Sequence, residues 1–194
     1  MTRIALSIRH RCPALVLALL FAAVMPARAQ TLTVTVGPSF PQGDMGERRT
    51  VGAHLAVSIS PTVVRRGFLV RAEAGQIWHG TRGARNRALV PSGEREGLLS
   101  ATSVMGYVLY SGAADPAIHL GMGLGAYQMR IRGNENPYGA VPGIGLVAGM
   151  TFGKRRVRGL VELQQQVIVS DFGNTEFSAS TFVPVRFGAS VNLR

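Results

Sequence analysis

Apolar and polar residues alternate with a period of two along most of the chain, in stretches separated by turn-forming residues. This alternation predicts β-strands with one apolar face and one face of polar or small residues. No stretch reaches the 18 consecutive apolar residues typical of a transmembrane helix. The pattern predicts eight strands, at residues 31–41, 48–60, 67–79, 96–110, 116–131, 139–152, 157–170 and 179–194.

The fifth predicted strand, PAIHLGMGLGAYQMRI, also contains the only pattern that suggests a glycine-rich phosphate loop. Its even-numbered positions from 118 to 126 are apolar, whereas Gly121, Gly123 and Gly125 lie on the opposite face with His119 and Tyr127. Phosphate and dinucleotide loops need different glycine spacing and a following helix. We therefore interpret these glycines as positions inside a narrow barrel, where they leave room for larger neighbours. Residues 96–110 alternate too poorly for their faces to be assigned.

The connections between the predicted strands alternate in length. Short links follow the second, fourth and sixth strands, and longer polar loops follow the first, third, fifth and seventh. This asymmetry is typical of up-and-down membrane barrels, and eight strands form an interior that side chains just fill. The predicted fold class is all-β, an eight-stranded antiparallel up-and-down transmembrane β-barrel that occupies residues 30–194.

The direction in which the apolar face points separates two classes of barrel. A lipocalin-like barrel is apolar inside, and a membrane barrel is apolar outside. Here the polar faces carry Gly, Ala, Ser and Gln with few charges, a set suited to a crowded lumen. Aromatic residues fall at both ends of the strands: Phe68, Tyr110 and Phe152 beside short links, and Trp78, Tyr138, Phe172 and Phe177 near long loops. The membrane barrel is favoured, with a soluble lipocalin-like binder of an apolar ligand as the alternative.

Residues 1–29 are predicted to be a cleaved secretory signal peptide. Three arginines precede a short apolar core at 14–25, and Ala27-Arg28-Ala29 supplies a small-x-small cleavage pattern. The single cysteine, Cys12, lies in this segment, so no disulfide or thiol chemistry is expected in the mature chain. Without the segment's four arginines, the 21 basic residues of the chain become 17 against 10 acidic ones, a net charge of +7. An exported basic protein commonly meets anionic lipid surfaces.

A few ionisable residues fall on the predicted interior face. Buried charges require partners, so we expect a paired polar network in the lumen. If Ser60 pairs with Gly67 across the second connection, His54 lies opposite Glu73. The network is predicted to contain His54, Arg71, Glu73, His119, Glu162, Gln164, Gln166 and Arg186.

In architecture the chain resembles the small OmpA/OmpX-type outer-membrane β-barrels of Gram-negative bacteria. The C-terminal RFGASVNL resembles the signal that the barrel-assembly machinery reads in such proteins, with Arg186, Gly188, Val191 and Leu193 at the matching positions. The usual final aromatic residue is absent, and Arg194 follows instead. The resemblance implies an outer-membrane location and a structural or surface-interaction role.

The basic residues of the long loops are candidates for binding lipopolysaccharide phosphates, because arginine makes bidentate contacts with such groups. They are Arg82, Arg85, Arg87, Arg130 and Arg132. Membrane lipids and lipopolysaccharide are the expected partners. No motif indicates nucleic-acid binding, and neither a cofactor nor a metal site is predicted.

One enzymatic alternative is a hydrolase resembling lipid A deacylase. That family has an outward-facing histidine, a serine two residues later and an acidic residue. In this chain Ala56 and Gly121 follow the inward-facing His54 and His119 at that spacing, and Thr81 follows His79. These positions do not reproduce the pattern, so we predict that the protein is not an enzyme.

Overall fold

Eight antiparallel strands close into one barrel in which each strand pairs with its neighbours in the sequence and β1 pairs with β8. The computed structural model describes residues 30–61, 67–80, 99–131, 140–153, 156–170 and 178–193. The strands are β1 (Gln30–Gln42), β2 (Gly52–Pro61), β3 (Phe68–His79), β4 (Leu99–Ser111), β5 (Ala117–Ile131), β6 (Ala140–Phe152), β7 (Val157–Ser170) and β8 (Ser178–Leu193), with one helical turn, α1 (Asp44–Arg48), after β1. The predicted fold class is confirmed.

The strands are staggered by ten residues around the barrel. The chain of paired residues that starts at Leu32 in β1 passes through all the other strands and returns to β1 at Gln42. Eight strands with such a stagger tilt by roughly 40° from the barrel axis and form an interior filled by side chains. The stagger also brings residues from distant strands to the same depth in the lumen.

Two details of the second strand differ from the sequence-based expectation. β2 begins at Gly52 rather than near residue 48, because residues 44–48 form α1. His54 lies opposite Ile77, and Ser58 lies opposite Glu73. The predicted His54–Glu73 pairing is therefore wrong by four residues, because the last β2–β3 pair joins Ile59 to Ala72 and Ser60 does not pair with Gly67.

The outer wall of the barrel is apolar. On β5, Ile118, Leu120, Met122 and Leu124 point outwards with 56–68% of their surface exposed. At the short-turn end, the rings of Phe68 and Tyr110 pack edge to face with centroids 5.3 Å apart. This polarity is opposite to that of a lipocalin-like barrel, so the soluble alternative is wrong in its assignment of the faces. Among the described residues, no helix has the length and apolarity needed to cross a bilayer.

The lumen contains an apolar layer that the sequence did not predict. β4 points Leu99, Ala101, Met105, Tyr107 and Leu109 inwards, and all five are buried. Its outward residues include Val104, Val108 and Tyr110, so both faces are partly apolar and the alternation is weak. Towards the long-loop end, the β4 residues pack with a layer formed by Ile77, Met129, Ile168 and Phe182.

The glycines of β5 and β6 line the inner wall beside two large tyrosines. A Cβ atom at Gly145 would lie 2.7 Å from the hydroxyl of Tyr107, and one at Gly123 would collide with the Tyr107 ring. Gly143 leaves the same kind of space for the ring of Tyr127. The glycine repeat that resembles a phosphate loop in the sequence is therefore an adaptation to packing inside a narrow barrel.

Candidate functional site

Glu162 of β7 forms the centre of a buried ion-pair cluster. Its Oε1 atom accepts a hydrogen bond from Arg71 Nη1 at 2.7 Å and lies 2.7 Å from His119 Nε2. Its Oε2 atom accepts a hydrogen bond from Arg186 Nη2. The Glu162 side chain is only 1% exposed, so the protein rather than water provides its hydrogen bonds.

Glu73 is the second carboxylate of this cluster. Arg186 donates from Nη1 to Glu73 Oε1 at 2.8 Å, and Arg71 Nη1 lies 3.8 Å from Glu73 Oε2. Each of the two guanidinium groups therefore contacts both carboxylates. A balanced set of two cations and two anions with shared hydrogen bonds is the arrangement in which buried charges are tolerated.

Two glutamines extend the cluster along β7. Gln166 Nε2 donates to Gln164 Oε1 at 2.8 Å, and Gln164 Nε2 lies 3.4 Å from Glu73 Oε1. With the opposite orientation of the Gln164 amide, its oxygen would accept hydrogen bonds from the Arg186 guanidinium. In both orientations the amide is bonded to the ion pairs.

Strand register and one glycine explain how these side chains meet. Glu162 and Arg186 are direct neighbours across the β7–β8 pair. His119 of β5 is separated from Glu162 by β6, where Gly149 pairs with both residues. A Cβ atom at Gly149 would lie 2.6 Å from His119 Nε2 and 2.6 Å from Glu162 Cγ. Gly149 therefore allows the histidine to reach the carboxylate across an intervening strand.

The face of the cluster towards the short-turn end borders a cavity of about 200 Å³. Arg71, His119 and Glu162 line its inner part. The rest is lined by the hydroxyl and amide side chains of Thr31, Thr33, Ser60, Ser111, Thr151, Ser190 and Asn192, by Arg158, and by the apolar Leu69, Leu109, Ala117 and Leu160. On the other side, the Tyr107 ring lies 5.7 Å below the Arg71 guanidinium carbon. The ion pairs therefore border a partly polar recess at one end and are covered by Tyr107 and apolar residues at the other.

His54 lies in the lumen but does not join the hydrogen-bonded cluster. Its ring is fully buried, and neither ring nitrogen has a hydrogen-bond partner among the described residues. The shift in β2–β3 register places it beside Gly75, where an added Cβ would be 3.1 Å from His54 Nε2. Of the eight residues predicted for the network, the structure brings the other seven together.

A second buried histidine site was missed in the sequence. His79 Nε2 lies 3.2 Å from Ser39 Oγ, His79 Nδ1 lies 3.0 Å from the Thr50 carbonyl oxygen, and the ring stacks on Phe182 with centroids 4.9 Å apart. Ser39 and His79 are 0% and 1% exposed. The pair lies at the long-loop end of the wall formed by β1, β2 and β3. Because its two members are 40 residues apart in the sequence, no local motif indicates the contact.

A polar collar lies on the outer wall at the long-loop end of β3, β4 and β5. We use this name for Gln76, Thr102, Gln128, Ser100 and Arg130, which occupy two adjacent rows of paired residues. Thr102 donates to Gln76 Oε1 at 2.6 Å, and Arg130 is exposed. Arg82, Arg85, Arg87 and Arg132, the other predicted lipopolysaccharide contacts, lie outside the described residues, as do Tyr138, Phe172 and Phe177.

The residues of the C-terminal motif all lie on β8. Arg186 points into the lumen, Gly188 pairs with Thr35 of β1, and Val191 pairs with Leu32. Leu193, 39% exposed, is the last residue of the strand. The motif therefore forms part of the β1–β8 seam that closes the barrel.

A closed eight-stranded barrel with an apolar outer wall and polar groups inside defines the fold of the small outer-membrane β-barrels. No family model matches the chain, and no curated protein matches it. Among solved structures it is similar to Neisserial surface protein A, NspA, with a TM-score of 0.63 and 14% sequence identity over 85% of this chain and 99% of that one. It is also similar to Ail, the attachment invasion locus protein of Yersinia pestis, in its complex with the heparin analogue sucrose octasulfate. That TM-score is 0.50, with 10% identity over 85% of this chain and 98% of that one. At these identities the similarities concern the fold.

Proposed function

We propose that the protein resides in the outer membrane of a Gram-negative bacterium and acts there as a closed, non-enzymatic barrel with a structural or surface-interaction role. The apolar outer wall, bounded at one end by Phe68 and Tyr110 and at the other by the polar collar, supports insertion into a bilayer. The short-turn end would face the periplasm and the long loops the exterior, as in other barrels of this kind. Residues 1–29 would direct export, and the C-terminal β8 motif would be read by the barrel-assembly machinery.

The filled lumen supports a structural role rather than the passage of solutes. The ion-pair cluster occupies the barrel between the recess at the short-turn end and Tyr107, and the layer formed by Ile77, Met129, Ile168 and Phe182 lies beyond it. Each charged group in the cluster is held by partners on other strands. The arrangement therefore fits a plug that ties the walls together.

The polar collar is the observation that carries the proposed contact with lipopolysaccharide. It ends the apolar wall at the face expected to meet the outer leaflet, and the exposed Arg130 projects from it. Hydroxyl, amide and guanidinium groups suit the sugars and phosphates of a lipid A headgroup. The solved complex of Ail with the heparin analogue sucrose octasulfate supports the proposal.

The test is lipopolysaccharide binding by the protein in nanodiscs of zwitterionic lipid. We expect the affinity for lipopolysaccharide to fall as the salt concentration rises. Changing Arg82, Arg85, Arg87 and Arg130 together to Gln should lower that affinity at least about five-fold, because each substitution would remove a phosphate contact. Arg158→Gln is the matched control, because Arg158 is an exposed cation at the opposite mouth. Equal binding by the quadruple variant and the control variant at low salt would refute the contact.

The hydrolase alternative finds no support in the geometry. His54, His79 and His119 are all buried and point into the barrel, whereas a lipid A hydrolase of the family considered above requires a histidine on the lipid-facing wall. The Ser39–His79 pair is likewise buried and covered by Phe182, so a lipid carbonyl has no access to the hydroxyl.

A further inference from the structure

One polar side chain interrupts the apolar outer wall near the middle of a strand. Gln165 is exposed on the outer face of β7, the strand Val157–Ser170. It pairs with Leu146 of β6, and its outward neighbours along β7 are Leu163 and Val167. The β7–β8 register places it level with Val183. All four surrounding side chains are therefore apolar.

Gln165 differs in this from the outward amides of the polar collar. Gln76 and Gln128 belong to the polar collar at the long-loop end, where Gln76 already accepts a hydrogen bond from Thr102. The Gln165 side chain makes no hydrogen bond to any part of the chain that the structure describes. Its amide has donor and acceptor groups that the surrounding wall leaves unsatisfied.

In a bilayer such an amide is costly. Hydrocarbon offers no hydrogen-bond partner, so the transfer of an unpaired amide from water into an apolar medium is strongly unfavourable. Polar side chains at membrane depth therefore point to a partner. Lipid headgroups lie at the level of the strand ends, whereas Gln165 is the ninth of 14 residues in β7, so the partner should itself lie within the apolar band.

We infer that the outer wall around Gln165, formed by β6, β7 and β8, is the interface through which two copies of this chain associate in the membrane. An amide has one donor side and one acceptor side, so it complements a copy of itself across a two-fold axis. An axis along the membrane normal would place the two Gln165 amides together, with Leu146, Leu163 and Val183 of each copy packed around them. The inference rests on the membrane location proposed above.

The choice of this wall follows from its contrast with the part of the barrel across from β7, around β3. There the outward residues Phe68 and Val70 of β3 and Val108 of β4 present an uninterrupted apolar surface that lipid chains satisfy fully. Only an interface that pairs the Gln165 amide gains hydrogen bonds that lipid cannot provide. Association is therefore expected through β6–β8 and not through β3.

The experiment measures energy transfer between donor-labelled and acceptor-labelled protein in phosphatidylcholine vesicles as the lipid-to-protein ratio is raised. The dyes are placed on a single cysteine introduced at Ala114, an exposed residue of the β4–β5 turn. We expect dimers in the unmodified protein, at least ten-fold weaker association for Gln165→Leu, and substantial recovery for Gln165→Asn, which retains an amide. Gln128→Leu, which removes an outward amide of the collar, is the matched control and should associate like the unmodified protein.

Cysteines at single positions test the geometry of the interface. Oxidative crosslinking in the same vesicles should trap dimers through Leu163→Cys, and not through Val70→Cys on β3, across the barrel from β7. Two results would overturn this inference alone: an inserted, heat-modifiable barrel that stays monomeric, or a Gln165→Leu variant that associates as well as the unmodified protein. A protein that does not insert into vesicles overturns the proposed membrane location instead.

Discussion

Replacing Glu162 with alanine is expected to lower the free energy of unfolding by about 3–5 kcal/mol, because removal of one member of a buried ion-pair cluster leaves an uncompensated charge. Arg71, Arg186 and His119 all lose their shared acceptor, and Glu73 remains as the single carboxylate between two guanidinium groups. The measurement is reversible urea unfolding of the barrel in lipid vesicles, followed by tryptophan fluorescence and heat-modifiable gel mobility.

The control for size and polarity is Ser103→Ala. Ser103 is 1% exposed in the same lumen, but its hydroxyl has no partner among the described residues, so its loss should cost little. The double variant Arg71→Ala, Glu162→Ala leaves a neutral Arg186–Glu73 pair and should be less destabilised than the sum of the single variants, with a coupling on the order of 1–3 kcal/mol. Strict additivity, or a Glu162→Ala variant as stable as Ser103→Ala, would contradict the role assigned to the cluster.

A lysine at Leu124 is expected to destabilise the inserted barrel by about 2–4 kcal/mol, the cost of a cation at the bilayer midplane on a barrel wall. Leu124 is 68% exposed and is the middle residue of β5. The same vesicle unfolding assay checks this value. Gln128→Lys, on the same face of the same strand but in the polar collar, should cost no more than about 1 kcal/mol. If both lysines cost the same small amount, the wall at Leu124 faces water.

The fold could be predicted because the barrel requires a strict alternation, and most strands display it. β5 shows it clearly: its outward apolar and inward glycine positions follow directly from the sequence. β4 does not, because Met105, Tyr107 and Leu109 fill the lumen with apolar groups while Val108 faces outwards. A lumen that is partly apolar removes the contrast on which the assignment of faces depends.

The ion-pair cluster could be predicted in membership but only partly in geometry. Charges on an inward face need partners, which identified Glu162 and Arg186 on adjacent strands. The contact between His119 and Glu162 depends on the absence of a side chain at Gly149, and His54 moved away through a four-residue difference in register. Both effects depend on the register between neighbouring strands, which cannot be predicted from the sequences of the turns.

The pairing of Ser39 with His79 and the isolated Gln165 became visible only in three dimensions. Ser39 and His79 come from β1 and β3, which are separated by β2, and their contact depends on the absence of a side chain at Gly52 between them, where a Cβ atom would lie 2.6 Å from His79 Nδ1. Gln165 looks ordinary in the sequence VELQQQVIVS, between two other glutamines. Its neighbours on β6 and β8 show that it alone of the three faces the apolar wall.

The account depends most on the claim that the apolar face of the strands contacts lipid, and site-directed nitroxide labelling tests that claim directly. The only natural cysteine, Cys12, lies in the segment predicted to be cleaved, so single cysteines can be labelled at Leu120, Met122 and Leu124, at the lumen-facing His119 and Val147, and at Ala114 in a turn. In vesicles, labels at 120, 122 and 124 should collide with oxygen dissolved in the bilayer and be protected from a water-soluble nickel complex. Labels at 119 and 147 should be reached poorly by oxygen, and the label at 114 should be reached by nickel. Nickel access at 120, 122 and 124, or shielding of these three labels from both reagents, would contradict the membrane-spanning barrel.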